Sequence, residues 1–279
     1  MFELVSEHAS FGGVQRFYRH ASTEIGLPMR FAVYLPPQAQ SGPVPALFYL
    51  AGLTCTEETF FIKAGAQKFA AQYGIALIGP DTSPRGAAIE GEDAAWDLGV
   101  GAGFYLDARA APWARHYRME SYITGELYTA VLAQLPLDAK RIGIFGHSMG
   151  GHGALTLALR HPDLFRSVSA FAPIAAPSRC PWGEKAFSAY LGSNREAWKQ
   201  HDASELMVQA GCVFPDGILI DQGLSDGFLA EQLHPHLFEA ACKHAGQPLT
   251  LRRHAGYDHG YYFISTFIED HLRHHAAIL

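Results

Sequence analysis

The chain has 279 residues, of which 48% are hydrophobic and 17% charged, a composition typical of a folded globular protein and not of a disordered one. Its 21 basic and 27 acidic residues give a net charge of −6 without a basic run, which argues against nucleic-acid and anionic-membrane partners. The apolar stretches are shorter than the roughly 20 residues that a membrane-spanning helix needs. We therefore expect a small-molecule ligand.

The N-terminus and the cysteines indicate the compartment. The first residues lack the basic region and apolar run that mark a secretory signal, so the expected location is the cytoplasm. The four cysteines form no CxxC pair and match neither a disulfide framework nor a zinc ribbon. We expect free thiols at Cys55, Cys180, Cys212 and Cys242.

Short apolar strands alternate with helical patterns along the chain. The predicted strands cover residues 30–35, 46–50, 75–81, 141–145, 167–171, 217–221 and 249–253. The predicted helices cover residues 60–73, 120–135, 150–160, 228–245 and 261–275. Apolar strands separated by helices are typical of a parallel sheet with helices on both faces. The sequence therefore predicts an α/β fold with a mostly parallel central sheet, in which residues 1–279 form a single domain.

Residues 82–117 interrupt this alternation. They are rich in Gly, Ala, Pro and aromatic residues and show no sustained period, so we expect a long ordered loop. Packing in the core is the favoured interpretation of each of its aromatic side chains, and walls of a pocket are the alternative. These side chains are Trp96, Phe104, Tyr105 and Trp113.

A Gly-x-Ser-x-Gly motif lies between a predicted strand and a predicted helix, at Gly146-His147-Ser148-Met149-Gly150. In a nucleophile elbow, a serine takes a strained conformation on such a turn, and the small residues around it prevent clashes. The motif by itself often occurs by chance. Its strand and helix context favours Ser148 as the nucleophile of an α/β-hydrolase.

A serine nucleophile needs a histidine base and an acid that orients the base, and in this fold the chain order is Ser, acid, His. Asp226 is the preferred acid because it lies in a Gly-containing turn after a strand, and Asp221 at the strand end is the alternative. The other interpretation of Asp221 is a structural carboxylate that binds turn amides. His259, just before the last helix, is the preferred base, with His254 as the runner-up.

An acyl-transfer site also needs two hydrogen-bond donors for the oxyanion. The backbone amide of Met149, directly after the nucleophile, is one candidate. The amide of Leu53, in the loop after the strand 46–50, is the other. Leu53 has a second interpretation as a buried loop residue, which is compatible with the first because only its N–H acts.

The remaining histidines give little support for metal chemistry. The 271–275 segment holds three of them, but no HExxH motif or Cys/His ligand spacing is present, and no glycine-rich nucleotide-binding motif follows a strand. We expect no metal and no cofactor. Histidines on predicted helices are expected to face solvent, namely His234, His236, His271, His274 and His275.

Longer motifs resemble the S-formylglutathione hydrolase (esterase D) family. The resemblance extends over nearly the whole chain, and its motifs follow the same order. They are LAGLTCTEE at 50–58, FIKAGAQ at 61–67, GAGFY at 101–105, GHSMGGHGAL at 146–155, DQG at 221–223 with Asp226, and GYDH at 256–259.

The resemblance implies a cytoplasmic, cofactor-free serine thioesterase that converts S-formylglutathione to formate and glutathione in formaldehyde detoxification. The implied intermediate is a formyl-serine, and simple carboxylic esters are implied as further substrates. The family pattern assigns the nucleophile to Ser148, the acid to Asp226, the base to His259 and the oxyanion amides to Leu53 and Met149. It also implies a homodimer.

Two further residues are candidates for the substrate pocket. Cys55 matches a family cysteine beside the active site that confers sensitivity to thiol reagents, and a buried small hydrophobe is the alternative. Trp182 is expected to narrow the acyl side, because formyl is the smallest acyl group. The chain departs from the family pattern at Ala51, Leu98 and Gly260, none of which supplies a catalytic atom.

Two other functions stay open at this point. The first is a short-chain carboxylesterase or a serine acyltransferase of the same fold, which the ratio of thioester to ester hydrolysis would distinguish. The second is a non-catalytic binding protein with a hydrolase fold, which labelling of Ser148 by a fluorophosphonate would exclude.

Overall fold

The computed structural model describes all residues, 1–279, and contains one nine-stranded sheet. The spatial order of the strands is β1-β2-β3-β5-β4-β6-β7-β8-β9. They are β1 (Glu3–Ser10), β2 (Gly13–Ala21), β3 (Pro28–Leu35), β4 (Val44–Leu50), β5 (Ala76–Pro80), β6 (Leu137–His147), β7 (Ser167–Phe171), β8 (Ile218–Gly223) and β9 (Leu249–His254).

The sheet is parallel from β5 through β4 to β9, and the pairs β1–β2, β2–β3 and β3–β5 are antiparallel. Every residue of β5, β7 and β8 is buried, as expected for strands covered on both faces. The predicted α/β fold with a mostly parallel sheet is confirmed. Strands β1 and β2 were not predicted from the sequence, because β1 is largely exposed and β2 mixes polar with apolar residues, so neither forms a continuous apolar run.

Ten α-helices connect and cover the strands. They are α1 (Thr59–Lys63), α2 (Ala66–Tyr73), α3 (Met119–Ser121), α4 (Tyr128–Gln134), α5 (Met149–Arg160), α6 (Pro181–Leu191), α7 (Arg195–Trp198), α8 (Ala203–Ala210), α9 (Pro235–Ala245) and α10 (Tyr261–Ile278). Helix α5 packs on β4, β6 and β7, and α10 packs on β7, β8 and α2. None of the helices combines the length and the apolar character that crossing a bilayer requires.

Three predicted helices are interrupted in the structure. The predicted helix 60–73 is divided into α1 and α2 by Gly65, whose φ of 67° is left-handed. The predicted helix 228–245 is divided at His234 (φ 47°), between a π-helical turn, Leu229–Leu233, and α9. Pro235 begins α9 because proline has no N–H to continue an earlier turn. The segment 120–135 contains a π-helical section, Tyr122–Leu127, between α3 and α4.

The loop 82–117 contains no α-helix and no strand of the sheet, and it is held by specific hydrogen bonds. The Tyr105 hydroxyl donates to the carbonyl of Ala51 at 2.8 Å. Phe104, Tyr105 and Trp113 are buried in the hydrophobic core, so the favoured interpretation of these three side chains as core residues is confirmed. Of the four aromatic candidates, Trp96 alone lines the cavity described below.

Two histidines of the last helix belong to the protein interior. His271 Nδ1 lies 2.8 Å from the Ser169 hydroxyl, and both ring nitrogens of His275 contact serine hydroxyls, Ser167 at 2.6 Å and Ser169 at 2.9 Å. The prediction that His271 and His275 face solvent is therefore wrong. The sequence pattern of the helix does not reveal that β7 presents two hydroxyl groups to it.

Candidate active site

Ser148 lies at a sharp turn between β6 and α5. Its φ of 58° and ψ of −119° fall in a region that residues with a side chain rarely adopt. The turn is held by the Ser148 N–H, which donates to the carbonyl of Phe171 on β7 at 3.0 Å. This is the conformation that a nucleophile elbow requires.

The two glycines of the motif are required by contacts with the backbone. A Cβ added at Gly146 would lie 2.2 Å from the carbonyl oxygen of Gly150. A Cβ added at Gly150 would lie 1.9 Å from the carbonyl oxygen of Leu50. Both distances are far shorter than a van der Waals contact, so any side chain at either position would displace β4 or the turn itself.

His259 and Asp226 form a hydrogen-bonded pair. The Nδ1 of His259 lies 2.6 Å from Oδ2 of Asp226, whose side chain is fully buried. Asp226 also accepts from the Phe228 N–H at 2.8 Å and from the Gln222 amide at 3.3 Å. A carboxylate that accepts from Nδ1–H leaves Nε2 as the basic nitrogen. The pair is thus arranged as an acid that orients a base.

Asp221 and His254, the alternatives considered for acid and base, belong to a different cluster. Asp221 is buried, and Arg252 Nε donates to it at 2.6 Å. Nε2 of His254 and Nε2 of His271 lie 3.2 and 3.3 Å from its oxygens. Burial raises the pKa of Asp221, but its contacts with His271 and Arg252 outweigh burial and hold that pKa below the usual value. Asp221 is thus a structural carboxylate, bound by side chains instead of the expected turn amides.

A cavity of about 330 Å³ brings most of the predicted site residues together. Ser148, His259, Leu53, Cys55 and Trp182 all line it. The other two predicted residues lie directly behind this lining, Asp226 against His259 and Met149 in the first turn of α5.

The Ser148 hydroxyl forms no capping hydrogen bond to α5. Ser148 as a whole residue is only 3% exposed, and it lines the same cavity as His259. Catalytic hydrogen bonds are often long in ligand-free enzymes and tighten when substrate binds. Ser148 and His259 therefore line the same cavity, and the mechanism proposed below is based on this arrangement.

The two candidate oxyanion amides have free N–H groups close to Ser148. In the loop after β4, the amides of Thr54 and Cys55 donate to backbone carbonyls, whereas the Leu53 N–H has no backbone acceptor. A Cβ at Gly52 would lie 3.2 Å from the Cβ of Ser148, so this loop passes directly against the nucleophile. Met149 is the first residue of α5, and its N–H therefore has no partner within the helix.

An aromatic wall lies on one side of the cavity. Ring centroids of Trp96 and Trp182 are 5.4 Å apart, those of Trp182 and Phe228 are 4.7 Å apart, and those of Phe228 and His259 are 5.0 Å apart. Phe228 was not among the site residues predicted from the sequence. Its position two residues after the preferred acid is the signal that could have identified it.

Comparison with known proteins places the chain in a family. Residues 22–274 match the family model described as "Putative esterase". The chain is 55% identical to the S-formylglutathione hydrolase of Paracoccus denitrificans over 100% of this chain and 98% of the relative, and 54% identical to that of Mus musculus over 99% and 98%. The chain belongs to the S-formylglutathione hydrolase family.

Solved structures agree with this membership. An S-formylglutathione hydrolase from Agrobacterium tumefaciens superposes with a TM-score of 0.96 at 48% identity, covering 99% of each chain. A fluorophosphonate-binding serine hydrolase of Staphylococcus aureus has a TM-score of 0.75 at 21% identity, over 95% of this chain and 98% of that one, and shares the fold alone. The predicted resemblance to the S-formylglutathione hydrolase family is confirmed.

Within this member of the family, His147 lies directly beside the candidate base. The ring centroids of His147 and His259 are 4.4 Å apart, and His147 is 5% exposed. Burial and the neighbouring His259 lower the pKa of His147 well below its usual value. A neutral ring at this position adds no positive charge beside the base.

Cys55 is half-buried at the edge of the cavity. Burial raises the pKa of its thiol, more than hydrogen bonds with Thr59 and Tyr261 lower it. Because the thiolate is the reactive form of cysteine, this environment disfavours nucleophilic chemistry at Cys55. Its backbone carbonyl accepts from the Thr82 hydroxyl at 2.6 Å and from Arg85 at 3.2 Å, which holds the loop that carries Leu53.

Proposed function

We propose that this chain is a serine thioesterase that hydrolyses S-formylglutathione to formate and glutathione, with Ser148, His259 and Asp226 as nucleophile, base and acid. The observation that supports these roles best is the 2.6 Å contact between His259 Nδ1 and Asp226, at the cavity that Ser148 also lines. The substrate follows from relatives of 50–55% identity over nearly their whole length, each an S-formylglutathione hydrolase.

The first half of the reaction forms the acyl-enzyme. Ser148 Oγ attacks the thioester carbonyl carbon while His259 Nε2 takes the hydroxyl proton. The tetrahedral intermediate collapses with cleavage of the C–S bond, and the proton on Nε2 passes to the departing sulfur. Glutathione leaves as a thiol, and the formyl group stays on Ser148 as an ester.

The second half uses water in place of serine. His259 Nε2 removes a proton from water, which attacks the formyl carbon, and the proton then passes to Ser148 Oγ as the ester bond breaks. Formic acid leaves and loses its remaining proton to solvent to become formate, and the resting enzyme is restored. Throughout, the Asp226 carboxylate holds the ring by its Nδ1–H and stabilises the imidazolium that forms in each half.

The amides of Leu53 and Met149 stabilise the oxyanion in both halves. Each donor of this kind contributes about 3 kcal/mol to stabilisation of the transition state in similar sites. Both are backbone groups, so a side-chain substitution cannot delete them. On the acyl side, Trp182 limits the space beside Ser148 to a small group such as formyl.

Steady-state kinetics on wild type, Ser148→Ala and His259→Ala test this function. We expect both variants to lose about 10⁴-fold or more in kcat for S-formylglutathione, since members of a catalytic triad act as a unit. A fluorophosphonate probe should label the wild type and leave Ser148→Ala unlabelled. Retention of substantial thioesterase activity by Ser148→Ala would contradict the assignment.

Hydrolysis of small carboxylic esters is the second candidate function. The match to an esterase family model favours it, and an oxyanion hole acts on the carbonyl of an ester as on that of a thioester. A kcat/KM for S-formylglutathione no higher than that for p-nitrophenyl acetate would make esters the better description of the substrate.

A cytoplasmic location, a single-domain organisation and a homodimer complete the proposal, and the native mass in solution tests the last of these.

A further inference from the structure

Two cavities adjoin at the end of α1. Lys63 and Tyr261 line the catalytic cavity, and the same two side chains line a second recess of about 680 Å³. The other residues of this recess, which we call the outer recess, are Asp258, Gly260, Tyr262 and Ser265. None of the six has a role in the mechanism above, so the outer recess is available to a part of the substrate that does not react.

Lys63 is an unpaired cation at the junction of these cavities. Its Nζ lies 5.7 Å from the centroid of the Tyr261 ring, and its side chain is exposed. The lysines that form ion pairs are Lys185 and Lys199. Lys63 is also the one lysine or arginine that lines the catalytic cavity, and no carboxylate lines that cavity. Its positive charge is therefore free to meet an anionic ligand.

Asp258 supplies the opposite charge in the outer recess. It is exposed, and its Oδ1 accepts from the Gly260 N–H at 2.9 Å. Asp258 forms no ion pair with any lysine, arginine or histidine side chain, Lys63 included. The outer recess thus presents one positive and one negative group that do not neutralise each other.

The glutathione part of the substrate carries matching charges. Its γ-glutamyl end has a carboxylate and an ammonium group on the same carbon, whereas its glycyl end has a carboxylate alone. Because the chain has a net charge of −6, an anionic thioester needs a local cation to be held near Ser148. Lys63 is placed to be that cation.

The ring of Tyr261 connects the histidines of the catalytic cavity with Lys63 of the outer recess. Ring centroids of His259 and His147 are 4.4 Å apart, those of His147 and Tyr261 are 6.1 Å apart, and Lys63 Nζ follows at 5.7 Å. We propose that the outer recess binds the γ-glutamyl head of the substrate, with its carboxylate at Lys63 and its ammonium group at Asp258. This inference depends on the proposed function.

Competitive inhibition tests the outer recess without requiring the thioester. S-methylglutathione, which cannot be cleaved, is titrated as an inhibitor of p-nitrophenyl acetate hydrolysis by wild type, Lys63→Ala, Lys63→Glu and Asp258→Asn. Lys68→Ala is the matched control, because Lys68 is an exposed lysine 5.3 Å from the ring of Phe69 and lies outside both cavities. S-methyl-γ-glutamylcysteine, which lacks the glycyl residue, is titrated in parallel.

We expect the inhibition constant to rise about fivefold in Lys63→Ala, further in Lys63→Glu and about twofold in Asp258→Asn, with no change in Lys68→Ala. Wild type should bind S-methyl-γ-glutamylcysteine nearly as tightly as S-methylglutathione. Unchanged inhibition in Lys63→Ala would overturn the proposal, as would a large loss of affinity on removal of the glycyl residue. Failure of the proposed function would show itself separately, as a wild type that binds S-methylglutathione but does not hydrolyse S-formylglutathione.

Discussion

The ring centroids of His147 and His259 lie 4.4 Å apart, and burial together with the neighbouring His259 lowers the pKa of His147 well below its usual value. Because the pKa of His147 is lowered, we expect His147 to add no proton-binding step to the acid limb of the pH dependence of kcat for S-formylglutathione, so that the slope of this limb does not exceed one. Initial rates between about pH 4.5 and 8 measure this slope. A slope of two would mean that His147 also titrates.

Alanine at Gly150 should disrupt the nucleophile turn. The added Cβ would lie 1.9 Å from the carbonyl oxygen of Leu50, so we expect Gly150→Ala to lower the free energy of unfolding by about 3 kcal/mol and to abolish activity. Thermal melts and ester hydrolysis measure the two effects. Gly125→Ala is the control, because no atom lies within 4 Å of its added Cβ and alanine favours a helix. Equal melting temperatures for the two variants would refute the argument.

Asparagine substitutions distinguish the catalytic role proposed for Asp226 from the structural role of Asp221. Asp226→Asn should lower kcat by about 10³- to 10⁴-fold with little change in stability, because an amide no longer fixes the tautomer of His259. Asp221→Asn should instead lower the free energy of unfolding by about 3 kcal/mol, because it leaves Arg252 without its buried partner. Kinetics and urea unfolding of both variants check this. The acid would be wrongly assigned if the two results were reversed.

Stability should fall as the pH is lowered from about 6.5 toward 4. Burial lowers the pKa of His152 to about 3 and those of His201 and His274 to about 4. Above pH 6.5 these rings are neutral in both states, and below it the unfolded chain takes up protons that the folded chain excludes. Each such group therefore costs about 1.4 kcal/mol per pH unit until its folded pKa is reached.

Urea unfolding at several pH values measures this slope. His201→Gln should reduce it by the share of one group, because glutamine does not titrate. The interpretation fails if His201→Gln has the same slope as wild type.

Removal of the Trp182 ring should widen the acyl side of the cavity. Trp182 is 7% exposed and contacts Trp96 and Phe228, so alanine leaves space where a longer acyl chain can lie. We expect the ratio of kcat/KM for p-nitrophenyl butyrate to that for the acetate to rise about tenfold, the effect of two methylene groups. An unchanged ratio would show that Trp182 does not limit acyl length.

Local patterns in the sequence were sufficient for the central strands and for the nucleophile turn. The continuous apolar runs of β4 to β8 and the Gly-x-Ser-x-Gly motif act over a few neighbouring residues, so their structure follows from short-range sterics and burial. Local patterns did not predict the positions at which a single residue with a left-handed backbone conformation ends a helix. Gly65 and His234 interrupt helices whose apolar spacing continues across them.

The arrangement of the site was decided by the tertiary structure. From the sequence, Asp221 and Asp226 are both carboxylates near the end of one strand. Which one reaches His259 depends on β9 and α10, whose Arg252, His254 and His271 surround Asp221 and leave Asp226 to the turn that carries His259. Residues far apart in the chain meet only when the sheet brings their strand ends to one edge, and pairing between distant segments is a property that local sequence patterns do not contain.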